Sequence, residues 1–171
     1  MDLSITGDKD PQLVRSDWEP VGQPTIEGVV AKQVANVIAA GGYLTEMWRA
    51  DWALDPGGVG QVFQRVLDPG TISAWHVHLA TTDRLFCAFG RVRTVLYDAR
   101  QASPTHGTIV EYRYGDLRPA VISVPPGVYH GVQNIGPDRA VLMNAVDEAY
   151  AYEDPDHHRV PQDLPEIPFT W

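Results

Sequence analysis

Apolar and polar residues alternate along much of the chain, which is the pattern of half-buried β-strands. In residues 61–67, Val62 and Val66 fall on one side of such a strand, and Phe63 and Leu67 fall on the other. The same kind of pattern predicts further strands at 85–89, 92–98, 108–113, 121–124 and 140–146. Turn-forming residues separate these segments and no βαβ pattern is present, which indicates an all-β antiparallel sandwich or barrel.

The segment 25–41 allows two interpretations. Val30, Val34 and Val37 recur at helical spacing, and the glycines that follow could cap a helix. The abundance of valine favours strands instead. Residues 42–49 alternate and predict a strand of their own.

The two ends of the chain differ from its middle. Residues 1–24 are polar and interrupted by prolines, which predicts an extended N-terminal arm, and Trp18 within it would need burial, for instance on a partner subunit. Residues 25–171 are expected to form a single domain. After Asp147 the chain becomes acidic and proline-rich, and we expect this C-terminal tail to pack along the domain.

Composition excludes several classes of partner. The chain has 171 residues, a net charge of −9 and a pI of about 4.9, which argues against nucleic acid because phosphate binding needs clustered Lys and Arg. No apolar run approaches the roughly 20 residues of a membrane span, and the N-terminus does not resemble a signal peptide. The single cysteine, Cys87, fits a small buried strand residue and the reducing cytoplasm.

Two histidine-bearing stretches carry the candidate chemistry. His76 and His78 are two residues apart, so on a strand both point to one face, and Asp83 follows on the next strand. His130 lies about fifty residues further on and needs only a neighbouring strand to join them. Three imidazoles and one carboxylate suit a divalent metal, and this donor set does not distinguish iron, zinc, nickel and manganese.

The spacing of these residues resembles that of the cupin superfamily. The first cupin motif is matched by Gly70, His76, His78, Asp83 and Gly90, with Asp83 in place of the usual glutamate, and the second is matched by Pro125, Gly127, His130 and Asn134. Within the cupins, the blocks 42–49, 97–107 and 125–131 are similar to the dTDP-4-dehydrorhamnose 3,5-epimerase family. The resemblance implies a cupin jelly-roll β-barrel, usually a homodimer, and it favours strands over a helix at 25–49.

The resemblance also implies roles for individual residues. In the family, a histidine removes a proton beside a sugar 4-ketone without a metal, a carboxylate supports this histidine, a tyrosine reprotonates the carbon and a lysine steadies the enolate. His76 matches the basic histidine, His130 the histidine of the second motif, and Asp163 the supporting carboxylate. The lysine position holds Asp83, and the tyrosine position falls near Asn144.

Other residues could take over these missing functions. Tyr129 is a spare phenol beside His130, although on a regular strand it would point away from it. Trp75 could stack on a substrate ring or belong to the core, and Arg84 could bind a substrate anion or pair with Asp83. Two adjacent histidines in the tail, 157 and 158, point opposite ways on an extended chain and are not expected to share a metal.

The leading hypothesis is an epimerase or isomerase that removes a proton next to the carbonyl of a keto-sugar, either free or nucleotide-linked. A metal held by His76, His78, Asp83 and His130 would replace the lysine as a Lewis acid, with no organic cofactor. His76 would be the base or a metal ligand, because one imidazole nitrogen cannot be both. The alternatives are a metal-dependent cupin of another class, such as an iron dioxygenase, a cyclase or a lyase, and a ligand-binding cupin without turnover.

Overall fold

The strands predicted from the sequence are present in the computed structural model, which describes residues 7–16, 20–52, 54 and 57–171. Trp18 lies outside the described residues. The elements in chain order are β1 (Val30–Gln33), β2 (Asn36–Ala39), β3 (Gly42–Thr45), a 3-10 turn (Ala50–Trp52), β4 (Gln61–Leu67), β5 (Ile72–Val77), β6 (Asp83–Phe89), β7 (Arg91–Asp98), β8 (Ile109–Gly115), β9 (Ala120–Val124), β10 (Val128–Asn134), β11 (Ala140–Val146) and β12 (His158–Arg159).

Two five-stranded antiparallel sheets face each other. Their strand orders are β1-β9-β6-β11-β4 and β12-β5-β10-β7-β8, and β2 and β3 form a separate hairpin. This arrangement confirms the all-β cupin-like jelly roll, although the strand pairing does not close the two sheets into one continuous barrel. The helical interpretation of 25–41 is wrong, because β1 pairs with β9 from Val30–Ser123 to Gln33–Ala120.

The core fills the space between the two sheets with the inward-facing residues of both. Its buried members include Leu67, Leu85, Cys87, Leu96, Val110, Ile122 and Leu142. A second apolar layer formed by Trp48, Trp52 and Leu54 packs on Phe86 and Val121, on the outer face of the first sheet. Because both of its faces are covered, β9 is buried along its whole length.

The C-terminal tail covers the outer face of the second sheet, as expected. Trp75 and Val95 form an apolar cluster there with Ile167, against which Phe169 and Trp171 also pack. The short strand β12 extends this sheet by pairing with β5, His158 opposite Val77 and Arg159 opposite His76. The tail is therefore built into the sheet that carries the predicted histidines.

The described parts of the N-terminal arm lie at the surface. Residues 7–16 and 20–25 are exposed, and the amide side chain of Gln23 donates a hydrogen bond to the backbone oxygen of Glu111. Within the described ranges, no helix is long and apolar enough to cross a membrane.

Candidate active site

Strand pairing brings the two histidine stretches together. His130 on β10 lies directly opposite His76 on β5, and the register then shifts before Val132 pairs with Ser73. The shift places one extra residue on β5, and bulges of this kind re-aim side chains. His76, His78 and His130 consequently line one cavity of about 340 Å³ between the sheets, as the sequence predicted.

The floor of the cavity holds a compact group of His78, Asp83 and His130, whose ligand atoms lie within 4.8 Å of one another. Oδ2 of Asp83 is 3.2 Å from Nε2 of His78 and 2.9 Å from Nε2 of His130. Phe63, Leu85 and Leu142 are among the apolar residues that line the surrounding walls. Two imidazole nitrogens and one carboxylate oxygen therefore converge on one point in a largely apolar pocket.

Further hydrogen bonds fix each member of this group. Nδ1 of His78 is bonded to the backbone oxygen of Asp156, and Nδ1 of His130 lies 3.3 Å from the backbone oxygen of Val128. On the other side of the carboxylate, Nδ2 of Asn144 donates to Oδ1 of Asp83 over 2.7 Å. A carbonyl accepts only from a protonated nitrogen, so each ring carries a hydrogen on Nδ1, and a ring that is also protonated at Nε2 donates to Asp83.

Contact between Asp83 and the imidazoles shifts the pKa values of Asp83 and His78 in opposite directions. Burial opposes ionisation of Asp83, but hydrogen bonds from His130 and His78 outweigh it and hold the pKa of this carboxyl below its usual range. Burial likewise lowers the pKa of His78, yet its hydrogen bond to Asp83 and the attraction of that charge leave the pKa raised. The site is thus a buried carboxylate held between imidazoles.

His76 lies in the same cavity, outside the three-residue group. Its Nε2 accepts a hydrogen bond of 2.7 Å from Nη1 of Arg159 and lies 3.4 Å from Oγ of Ser73. Burial, followed by the proximity of His130 and Arg159, lowers the pKa of His76 from 6.5 to about 3. The predicted four-ligand set is therefore divided, with His76 hydrogen-bonded to Arg159 and the other three residues facing one another.

The tail supplies three residues to the site: Asp156 and Arg159, which the sequence did not single out, and His157, for which only a metal shared with His158 was considered and not expected. The ring of His157 lies between those of His76 and His78, with centroid distances of 5.0 and 5.1 Å. Its Nε2 is buried without a hydrogen-bond partner among the described residues. His158 is exposed, as expected from the opposite directions of adjacent side chains. The sequence signal that could have pointed to these residues is the run of ionisable side chains at 154–159 within the proline-rich tail.

Four predicted site residues lie elsewhere. Trp75 and Tyr129 belong to the apolar cluster on the outer face of the second sheet, because successive strand residues face opposite ways. Arg84 is buried beside Asp83 but points away, and its guanidinium donates to the backbone oxygens of Ala145 and Gly57. Asp163 is exposed in the tail. The site roles considered for these four residues are therefore not supported by their positions, and for Tyr129 the direction agrees with the alternation expected of a strand.

Asn144, by contrast, does line the cavity. Its side chain bridges two neighbours, since its Nδ2 holds Asp83 and its Oδ1 accepts from the backbone nitrogen of Arg84 over 3.0 Å. Asn144 thus holds the carboxylate of Asp83 in place.

Comparison with known proteins assigns the chain to a family. The family model described as dTDP-4-dehydrorhamnose 3,5-epimerase matches residues 23–171. The "Probable low-salt glycan biosynthesis epimerase Agl13" of Haloferax volcanii is 34% identical over 152 residues, which cover 86% of this chain and 96% of that protein. The spore coat polysaccharide biosynthesis protein SpsL of Bacillus subtilis is 32% identical over 146 residues, covering 85% and 96%.

Solved structures show the same relationship. The crystal structure of a dTDP sugar isomerase from Desulfovibrio desulfuricans superposes with a TM-score of 0.79 at 28% identity and covers 85% of this chain and 92% of its own. The family model and these relatives agree with the jelly-roll fold and the histidines of the cavity. The chain therefore belongs to the dTDP-4-dehydrorhamnose 3,5-epimerase family and is an epimerase-like enzyme of sugar metabolism.

Proposed function

We propose that the enzyme epimerises a nucleotide-linked 4-keto sugar by removing and returning a proton at the carbon next to the ketone. The observation that carries this proposal is the imidazole of His76, whose Nε2 accepts a hydrogen bond from Arg159, beside a buried His78–Asp83–His130 group in a single cavity. The family model and the dTDP sugar isomerase support the substrate class. The apolar walls support it as well, because they exclude water from a reacting carbanion.

His76 is the base in this proposal. A base needs an unprotonated nitrogen, and the low pKa of His76 keeps its ring neutral; departure of the Arg159 charge from the ring would raise this pKa towards the value that suits a base at neutral pH. Arg159 occupies Nε2 in the free enzyme, so its exposed guanidinium moves to an oxygen of the substrate before the reaction. The carbon–hydrogen bond then breaks, the proton passes to Nε2, and the electron pair forms the enolate. A solvent proton delivered to the opposite face inverts the carbon.

His78, Asp83 and His130 fit a divalent metal in their donor types and in their outer hydrogen bonds. Ligand atoms about 2.1 Å from one metal lie roughly 3–4 Å apart, which matches the separations found here. Metal-binding histidines usually donate their other nitrogen to a carbonyl or carboxylate, and both rings do so. Such a metal would act as a Lewis acid on the substrate ketone, in place of the family's lysine.

The same donor set favours a second candidate function. Two histidines and one carboxylate with open positions also serve iron-dependent oxygenases, so an oxygenase is the alternative. Oxygen uptake by the iron-loaded protein in the presence of a candidate substrate would identify it, whereas metal-dependent epimerisation without oxygen uptake excludes it.

We further propose a homodimer that works in the cytoplasm. The β2–β3 hairpin supports self-association, because it exposes Val37, Ile38, Tyr43 and Leu44. The compartment is supported by the buried free thiol of Cys87, whose pKa is raised to about 12 by burial and which needs no oxidising environment.

The test of the epimerase is solvent exchange. In D₂O, the wild-type enzyme should incorporate deuterium next to the ketone of a dTDP-4-keto-6-deoxy sugar, as followed by proton NMR. The His76→Gln variant should lose about 10²–10⁴-fold of this rate, which is the usual contribution of an acid–base group. His106→Gln, in an exposed loop, is the matched control and should retain it. Wild-type enzyme that exchanges no proton into such sugars would overturn the assignment.

Elemental analysis of protein purified without added metal tests the metal centre. The wild type and His76→Gln should retain about one metal per chain, whereas Asp83→Asn should lose it, because Asp83 lies in the three-residue group and His76 does not. If the wild-type protein is fully active without stoichiometric metal, the proposed metal centre is refuted and the metal-free mechanism of the family applies.

A further inference from the structure

We propose that Asp156 is a positioning residue that sets the orientation of His78 for metal binding; this inference rests on the metal centre of the proposed function. Asp156 lies in the tail, far from His78 in sequence, and nothing in the cupin motifs points to it. It contacts the loop that follows β5 through its side chain and His78 itself through its backbone.

The carboxylate of Asp156 sits among donors from consecutive residues of that loop. Oδ1 accepts from the backbone nitrogen of Leu79 over 2.7 Å. Oδ2 accepts from the backbone nitrogens of Ala80 and Thr81, both over 2.9 Å, and from Oγ1 of Thr81 over 3.0 Å. Burial opposes ionisation, but these bonds outweigh it and hold the pKa of Asp156 below its usual range. The side chain is thus an anionic anchor that ties the tail to the loop next to His78.

The backbone oxygen of Asp156 accepts the Nδ1 hydrogen of His78. That bond assigns the hydrogen to Nδ1 and leaves Nε2 directed at Asp83, 3.2 Å away. A ligating histidine needs its unprotonated nitrogen aimed at the metal, and the hydrogen bond on its other nitrogen does this aiming. One residue therefore uses its carboxylate to fix its own position and its carbonyl to fix the ring.

A second connection keeps the tail in place without this anchor. β12 pairs with β5 immediately after Asp156, and Ile167, Phe169 and Trp171 pack on the outer face of the sheet. Loss of the carboxylate should therefore loosen the carbonyl beside His78 rather than unfold the tail. We expect the effect in metal affinity and ligand geometry, with a small change in stability.

The experiment is a Zn²⁺ competition titration of the full chain, accompanied by the visible absorption spectrum of the Co²⁺-loaded protein. Asp156→Asn should bind Zn²⁺ about 10–100-fold more weakly than the wild type, the usual cost of removing an outer hydrogen-bond partner. Its Co²⁺ spectrum should shift because His78 no longer holds one position. Thr81→Val removes one of the four donors and should cause a smaller loss. Glu153→Ala, which removes an exposed carboxylate from the same tail, should leave the metal affinity and the Co²⁺ spectrum unchanged.

The outcomes separate the two proposals. Wild-type protein that binds neither metal in stoichiometric amount removes the metal centre, and this inference with it. Wild-type protein that binds metal while Asp156→Asn keeps both the affinity and the Co²⁺ spectrum overturns the role of Asp156 alone. Thermal unfolding of the metal-free variants checks folding. If Asp156→Asn is unfolded, Thr81→Val decides, and an affinity equal to that of the wild type overturns the proposal.

Discussion

Individual carboxylates in this protein are held by networks of donors, and Asp98 shows this outside the cavity. It is buried at the end of β7 and accepts hydrogen bonds from Nε of Arg100 at 2.8 Å, Oγ of Ser103 at 2.6 Å and Oγ1 of Thr105 at 2.7 Å. These partners belong to the 97–107 block on which the family resemblance rested. The block therefore has a structural role here, because it satisfies a buried charge.

Replacing Asp98 by Asn should lower the free energy of unfolding by about 3 kcal/mol, as is typical when one partner of a buried ion pair is removed. Burial opposes the charge, but Arg100, Ser103 and Thr105 hold the pKa of Asp98 below its ordinary value of 3.8. The stabilisation is therefore present above pH 3.8 and is lost as the pH falls.

Urea denaturation across pH 3–7 measures both effects, and Asp98→Asn should show a shallower loss of stability below pH 4 than the wild type. Asp68→Asn is the matched control. Asp68 pairs with Arg139 at the surface, where the side chains are 69% and 73% exposed, and its loss should cost less than about 1 kcal/mol. An acid slope that is unchanged in Asp98→Asn would contradict the prediction.

Among the elements, β10 is the strand on which the tail and the site meet. His130 faces the cavity, and the next residue, Gly131, lies against the outer layer. A methyl group at Gly131 would collide with the Cβ of Ala74 and the ring of Trp171. Close packing therefore requires glycine at position 131, because Trp171 of the tail occupies the space that a side chain would need.

Gly131→Ala should displace Trp171 and destabilise the protein by about 1–3 kcal/mol, the usual cost of overpacking. Tryptophan fluorescence should shift towards longer wavelengths, and amides of residues 160–171 should exchange faster with solvent. Gly42→Ala, where an added methyl meets no atom within 4 Å, is the control and should change neither measurement. Wild-type exchange in the tail of Gly131→Ala would show that the tail is held elsewhere.

At the scale of the whole molecule, the exposed hairpin bears on the proposed dimer. Ile38 is 86% exposed and Leu44 is 61% exposed, whereas the two sheets bury most of their apolar residues. Burial of such apolar surface against a second copy stabilises the dimer by about 25 cal/mol per Å². The exposed hairpin residues do not line the cavity, so a contact there would leave the cavity group undisturbed.

We predict a dimer by light scattering after size exclusion, and a shift towards monomer in the Ile38→Asp, Leu44→Asp double variant. Val66→Asp, on the strand at the opposite edge of the first sheet, is the control and should remain dimeric. A monomeric wild type would refute the dimer, and dissociation by Val66→Asp alone would place the contact at β4.

Much of the fold could be predicted from local pattern. Period-2 alternation located β4, β6, β7 and β11 closely, because a strand with one buried face must alternate. Alternation could not decide between helix and strand for 25–41, because the spacing of its valines fits a helix while their abundance favours strands. The pairing of β1 with β9 shows that 30–33 form a strand. The two histidine stretches were recognisable because their spacing carries a strand's geometry.

The sequence by itself determined that His76 and His78 share one face of a strand, because side chains alternate along it, and its resemblance to the cupins predicted that His130 joins them. Only the tertiary structure decided what each histidine meets there. The bulge in β5 and the pairing of β12 bring Arg159 to His76 and Asp156 to His78, contacts across more than seventy residues that no local pattern contains. Trp75, Tyr129 and Arg84 face away from the cavity because each is next to a residue that faces it, and only the packed tail and the neighbouring loops decided what these side chains contact there.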